Sequence, residues 1–208
     1  MNDTPFTDPA GTWNKRFETE DYIFGREPNE YLREQVALLP PGARVLCVAD
    51  GEGRNSVWLA RQGFRVDAFD IAEQGVAKAR ALAAQAGVTV DFEVADCDSW
   101  RWPAKAYDAV AAIFVQFADP PMRQRLFANI VRALRPGGLL VLQGYTPKQL
   151  DYRTGGPPIA SHLYTADLLR DAFAALEIIE LREFEAELSE GTQHRGRSAL
   201  IGLIARKP

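Results

Sequence analysis

The chain has 208 residues, 47% of them hydrophobic, with 24 Lys and Arg against 28 Asp and Glu for a net charge of −4. That length and apolar content suit one domain, 1–208, with a filled core, and the acidic balance excludes a surface built to hold nucleic-acid phosphates. The longest apolar run, "AVAAIFV" at 109 to 115, falls far short of the roughly 18 residues a membrane helix needs, so neither membrane nor nucleic acid is an expected partner.

The opening "MNDTPFTDPAGTW" is acidic and polar, unlike a secretory signal, and points to a cytoplasmic protein. Residues 1–43 stand apart as a flap and a helix. "DYIFGREP" sets Tyr22, Phe24 and Arg26 around a glycine with no helical or strand period, which suits a flap over a site as well as simple packing. After Pro28, "NEYLREQVALL" reads as a helix with Asn29 as N-cap.

From Arg44 to the end, 44–208, the pattern changes. "RVLCV" precedes the helical "SVWLARQG", "RVDAFD" precedes "QGVAKARALAAQAG", and "TVDFEVAD" leads into a loop holding Trp100 and Trp102. "YDAVAAIFV", the helix "PMRQRLFANIVRALRPGG" and "LLVLQGY" follow, with Gly63, Gly87, Gly137 and Gly138 at expected helix C-caps. Alternating strands and helices predict βαβ units and a mostly parallel α/β sheet with helices on both faces. After a helix from Thr165, "EIIELREFEAEL" and "RSALIGLIARKP" are separated only by "SEGTQHRG". Two strands without a crossover pair antiparallel, so one antiparallel strand is expected at or near the edge.

Cys47, Cys97, His162 and His194 are too few and too scattered for a zinc-like cluster, so no metal is expected, and buried free thiols are expected in place of a disulfide. The chemistry concentrates where strands end. "VLCVADGEGRNSVWLA" breaks an apolar run with Gly51 and Gly53 and turns at once into a helix, but Ser56 stands where a dinucleotide fingerprint has its third glycine. Asp70 closes the next strand, at the distance where a carboxylate accepts from both hydroxyls of a ribose, and Asp96 closes the third. Taken singly, the glycines could serve a tight turn, Asp70 a helix N-cap and Asp96 a loop, and Trp100 and Trp102 could cover an adenine or pack in the core. Together they describe an adenosine held by ribose and base with no pyrophosphate.

That constellation resembles the class I S-adenosylmethionine-dependent methyltransferases, which implies a Rossmann-like sheet of seven strands with the last antiparallel. Cys47 replaces the acid that usually ends the family's first strand, and Ala49 replaces the first of its three glycines. The resemblance implies a cofactor site of Ala49, Gly51, Gly53, Asp70, Ile71, Asp96, Cys97 and Asp98, with S-adenosyl-L-methionine as the cofactor. "GEGRNSVWLA", "DYIFGREPNEYL", "YRTGGPP" and "HRGRSALIGLIARK" resemble the small tellurite-resistance and thiopurine-type branch. This implies an enzyme that methylates a small anionic acceptor, a metalloid oxyanion or a thiol, as a monomer or homodimer. In that branch a His and Arg pair from the last connection belongs near the acceptor, which points to His194 first, then Arg26 and Arg195, then Arg197. An extended segment puts Arg195 and Arg197 on one face and His194 on the other. The rival expectations are a non-catalytic S-adenosylmethionine-binding regulator and an NAD-dependent oxidoreductase; the absent third glycine and the antiparallel final strand count against the latter.

Overall fold

The computed structural model describes residues 8–208; the first seven residues of the polar opening segment lie outside the described residues. Helix α1 (Pro9–Phe17) is capped by Asp8, whose side chain accepts from the Gly11 N–H at 2.8 Å. Gly11 and Thr12 are weak helix formers, so the contact of Trp13 with the buried Phe17 one turn on, and not propensity, marks this element. Helix α2 (Glu30–Gln35) starts at the expected cap, with the Asn29 side chain accepting from Leu32 N–H at 3.0 Å.

Then come β1 (Arg44–Val48), α3 (Arg54–Arg61), β2 (Arg65–Asp70), α4 (Glu73–Ala86), β3 (Asp91–Val94), β4 (Tyr107–Ile113), α5 (Pro120–Ala133) and β5 (Leu134–Tyr145). Short α6 (Gln149–Tyr152) and α7 (Ala166–Ala172) lead to the long hairpin of β6 (Glu177–Glu190) and β7 (His194–Arg206). The seven strands lie in the order β3-β2-β1-β4-β5-β7-β6, and only β7 runs against its neighbours. The chain thus begins mid-sheet, works to one edge through β2 and β3, and returns to build the other side from β4. That reversal opens a crevice at the carboxyl ends of β1 and β4, where open α/β sheets take ligands.

Strand alternation sorts the core into two layers. Leu46, Val48, Val110, Ala112, Leu140, Leu142 and Leu203 meet Leu126, Phe127 and Ile130 of α5 on one face. Val45, Cys47, Ala109, Ala111, Val141 and Ile204 meet Tyr31 and Leu32 of α2 and Leu59 of α3 on the other. Both cysteines are buried and free, and burial raises both thiol pKa values above the ordinary range. Among the described residues no helix is long and apolar enough to cross a membrane, and no group of three or more possible metal ligands occurs.

Two expectations need correction. Gly137 and Gly138 do not cap α5; that helix passes at Leu134 directly into β5, and both glycines lie within the strand, where its pairing with β4 shifts register. Gly138 is packed so closely that a β-carbon there would come 3.1 Å from the Tyr107 carbonyl. The polar "SEGTQHRG" is not a loop either. Strands β6 and β7 run through it in register to Glu190 opposite His194, leaving only Gly191, Thr192 and Gln193 to turn.

Candidate functional site

At the carboxyl end of β1, residues 49–53 form a tight turn. Ala49, Gly51 and Gly53 all take positive φ, of 49°, 59° and 86°. That conformation is strained for alanine and free for glycine, so Ala49 holds a position where the backbone asks for glycine. Gly53 has a second reason: a β-carbon on it would come 2.6 Å from Ala79 Cβ, so its bareness lets α3 pack on α4.

Asp70 ends β2, beside this turn. Its Oδ2 accepts from Gly51 N–H and its Oδ1 from Ala72 N–H, both at 2.9 Å. Each oxygen keeps a second lone pair for a further donor. Burial pushes the Asp70 carboxyl up, while backbone donors at Ala72, Gly51 and Ile71 pull it down. Ile71 follows, half-buried. After β3, Asp96 caps its own turn: Oδ1 accepts from the N–H groups of Asp98 and Ser99 at 2.8 Å each, and Oδ2 from Ser99 Oγ at 2.8 Å. Asp98 faces outward in a 2.7 Å ion pair with Arg125, and Cys97 is buried between them. Trp100 stacks on Phe69 at 4.6 Å with Trp102 edge-on, so both tryptophans serve the core beneath this turn.

The N-terminal segment closes over the same strand ends. Phe17 is buried against the glycine turn and α4, so near that β-carbons on Gly51 and Gly75 would meet its ring at 3.3 and 3.0 Å. Its ring, Trp13 and Phe24 form one cluster with centroid spacings of 5.6 to 6.3 Å. The segment is tied down at two places. The Ile23 carbonyl accepts from Thr192 N–H at 2.8 Å, which joins the flap to the β6–β7 turn. Lys78 Nζ donates to the carbonyls of Thr19 and Asp21 and pairs with Glu52 of the glycine turn at 2.5 Å.

His194, the first residue of β7, lies buried beneath these aromatics. Its ring centroid is 4.7 Å from Phe24, 4.3 Å from Phe114 and 5.8 Å from Tyr145. Phe114 follows β4 with a φ of 56°, so the backbone turns sharply where it meets the histidine. Loop 152–158 covers Tyr145 from outside; a β-carbon on Gly156 would come 2.7 Å from the Tyr145 ring. Glu190 sits across the turn, with Oε2 2.8 Å from Arg54 Nη2 and 3.8 Å from His194 Nδ1. Burial alone would raise the Glu190 carboxyl, but His194 and Arg54 hold it well below the usual carboxylate range. Burial lowers the pKa of His194, with Glu190 opposing and Arg54 and Arg16 adding to the effect.

The expected arginines are elsewhere. Arg26 is exposed, its guanidinium 4.5 Å over the Tyr22 ring, and it borders an outer cleft with Val57, Trp58 and Arg61. Arg195 and Arg197 share the exposed face of β7, and Arg197 pairs with Glu185 at 2.6 Å. The expected alternation therefore separates both from His194. The cations near the histidine are Arg54 and Arg16, the latter donating to Gln193 at 2.9 Å. Neither Arg16 nor Glu190 stands out in the sequence, since each is one of many charged residues until the hairpin meets the flap. Asp50 belongs to the turn as well: Ser56 Oγ donates to it at 2.5 Å, and burial pushes its carboxyl up to about 7, with Asp70 adding and Arg54 opposing.

Comparison with known proteins now bears on this arrangement. Residues 45–138 match a family model described as a methyltransferase domain. An uncharacterized protein of Mycobacterium tuberculosis is 35% identical over 112 residues; the chain spans only 40% of that relative's length, and the match covers 53% of this chain. A thiopurine S-methyltransferase of Pseudomonas fluorescens is 31% identical over 174 residues, covering 73% of this chain and 75% of the relative. The chain belongs to the class I S-adenosylmethionine-dependent methyltransferases. The fold agrees: N-methyltransferase NodS from Bradyrhizobium japonicum, solved in complex with S-adenosyl-l-homocysteine, superposes with a TM-score of 0.73 at 14% identity over 96% of this chain and 98% of that one. Cys47, two residues before Ala49, packs in the core.

Proposed function

We propose that this protein transfers a methyl group from S-adenosyl-L-methionine to a small anionic acceptor, a thiol or a metalloid oxyanion. The observation that carries the reading is the Asp70 carboxylate bonded to the Gly51 N–H across two adjacent strand ends. Turn and acid form one preorganised cradle with acceptor capacity left over, which fits the diol of a ribose. Ala49, Gly51 and Gly53 would let the nucleoside approach the backbone, with Ile71, Asp96, Cys97 and Asp98 bordering the base.

When bound, S-adenosyl-L-methionine supplies an electrophilic methyl carbon whose departure leaves a neutral thioether. The protein's part is then to hold a nucleophile in line and exclude water. The Trp13, Phe17 and Phe24 cluster supports the exclusion, and His194 supports contact with the acceptor. Arg16 and Arg54 take the place expected for Arg26 and Arg195 in favouring negative charge there. The acidic balance fits a small-molecule acceptor, and the proposal takes the enzyme to act in the cytoplasm as a monomer or homodimer.

Thermal melts with S-adenosylmethionine, S-adenosylhomocysteine and NAD test the cofactor, and a methyl-release panel of thiols and oxyanions tests the acceptor. A rise in Tm with both S-adenosyl ligands and none with NAD is expected. Stabilisation by NAD alone would overturn the reading, and binding without turnover on any acceptor would leave a regulator.

A further inference from the structure

Glu190 is held by three residues from two elements, Asn29 and Glu30 at the start of α2 and Arg54 at the start of α3. Its Oε1 accepts from Asn29 Nδ2 at 3.0 Å and from Glu30 N–H at 3.3 Å, and its Oε2 pairs with Arg54. Asn29 is itself locked, donating through its side chain to Gln143 at 2.6 Å and through its N–H to Asn55 at 2.9 Å. A buried ion pair of this kind adds little net stability, because desolvation offsets its attraction. What it does fix is direction: one carboxylate oxygen faces both a guanidinium and the ring of His194.

That ring is the unsatisfied partner. Nδ1 of His194, Oε2 of Glu190, Nη1 of Arg54 and the hydroxyl of Tyr145 are buried with no hydrogen-bond partner among the described residues, so the 2.8 and 3.8 Å approaches of Oε2 to Arg54 and His194 are charge contacts. The guanidinium, the imidazole and the tyrosine all neighbour the Glu190 carboxylate. With Nδ1 turned to Glu190, Nε2 is the ring atom left for a ligand.

We propose that Glu190, held by Arg54 and Asn29, is a positioning residue that makes His194 a proton acceptor for the methyl acceptor's thiol or hydroxyl. The inference rests on the methyltransferase reading above and narrows it: the reacting thiol or hydroxyl enters protonated, and any negative charge of the acceptor lies on its other groups. Its proton passes to Nε2 of His194, the freed electron pair forms the bond to the methyl carbon, and the pair of the broken sulfur–carbon bond stays on sulfur as a neutral thioether. The new charge on the ring appears beside Arg54 and Arg16. Among the described residues Glu190 is the anion facing the ring that offsets them, and Tyr145, Phe24 and Phe114 supply neutral walls. Arg54 opens α3 directly after Gly53. The pair therefore also ties the geometry of the cofactor turn to the orientation of the histidine.

The test is nitrogen-15 NMR of the histidine rings, with His162→Gln assigning the two. In the wild-type protein, His194 should show the Nδ1–H tautomer, with Nε2 unprotonated. In Glu190→Gln, its titration midpoint should fall by roughly one pH unit or more, and kcat should drop about 10- to 100-fold, more than S-adenosylmethionine affinity falls; Glu190→Asp should recover part of the midpoint and of kcat. The Nε2–H tautomer in the wild type, or an unmoved midpoint in Glu190→Gln, overturns the proposal. The tautomer is read on the unmutated chain, so a Glu190 variant that fails to fold does not block the test. Failure of S-adenosylmethionine to bind would sink the methyltransferase reading instead, while the ring spectra would still report on the pairing.

Discussion

Gly53 and Ala79 approach so closely that a β-carbon on the glycine would lie 2.9 Å from the Ala79 Cα as well as 2.6 Å from its Cβ. The contact sets how near α3 comes to α4, and so where the glycine turn stands relative to Asp70.

Gly53→Ala meets this backbone and adds a side chain at a φ of 86°. It should destabilise the fold by roughly 2 to 5 kcal/mol, strain and overpacking combined. Gly63→Ala is the control: its φ is 88°, but nothing lies within 4 Å of an added β-carbon, so only backbone strain of about 1 kcal/mol applies. Urea titration of both checks the difference. Equal losses would show that the packing of the two helices is not what requires Gly53.

Asp70→Ala removes the acceptor for two backbone N–H groups and the proposed ribose contact together. S-adenosylmethionine affinity should weaken by about 1 to 3 kcal/mol, and stability should fall by a similar amount. Calorimetry that finds wild-type affinity in a folded variant would remove Asp70 from the cofactor site.

Asp50 predicts a pH effect. Its folded pKa of about 7 lies above the ordinary 3.8, so the folded state holds this proton more tightly than the unfolded chain. Its stabilising contribution is full below about pH 4 and is lost as pH rises through about 7. The groups facing it are Ser56, Asp70, Arg54 and Cys47. Asp50→Asn keeps an acceptor for Ser56 and removes the titration. Its Tm should gain on the wild type across that window and exceed it at pH 8, each kcal/mol counting about 2 to 4 °C. A Tm difference that does not change between pH 4 and 8 would contradict the assignment.

The flap predicts a separable lid. Phe17 and Ile23 form a small cluster with Ala72, apart from the two main core layers. Removing residues 1–27 should lower Tm yet leave one cooperative unfolding transition, with methyl transfer much reduced. Loss of all cooperative unfolding would make the segment core packing and nothing more.

Much of the architecture was legible because strand alternation and helix period are local. The apolar runs "RVLCV" and "RVDAFD" marked buried strands, and Asn29 and Thr165 marked helix starts with their own side chains. Asp70 stood out for the same reason, as an acid ending a strand one element beyond a glycine turn. The hairpin misled because Glu190, Thr192, Gln193, His194 and Gly196 are polar or small, a composition that reads as loop until β6 and β7 are paired. The arginine partners misled because charge in sequence carries no direction. Arg26 and Arg195 neighbour the right elements but point outward, whereas Arg54, hidden inside the glycine motif, reaches Glu190 across the fold.

Strand β7 is last in chain order yet sits between β5 and β6. During synthesis, β6 therefore leaves the ribosome with no neighbour to pair with, and β5 keeps a bare edge until the final strand slides into the gap. His194 opens that strand and the Ile23 carbonyl waits for the turn before it, so the flap and the β6–β7 turn are fastened in the same late event. A nascent chain stalled before residue 194 would hold a formed glycine turn beside two unpaired edges, a species prone to stick to its own kind.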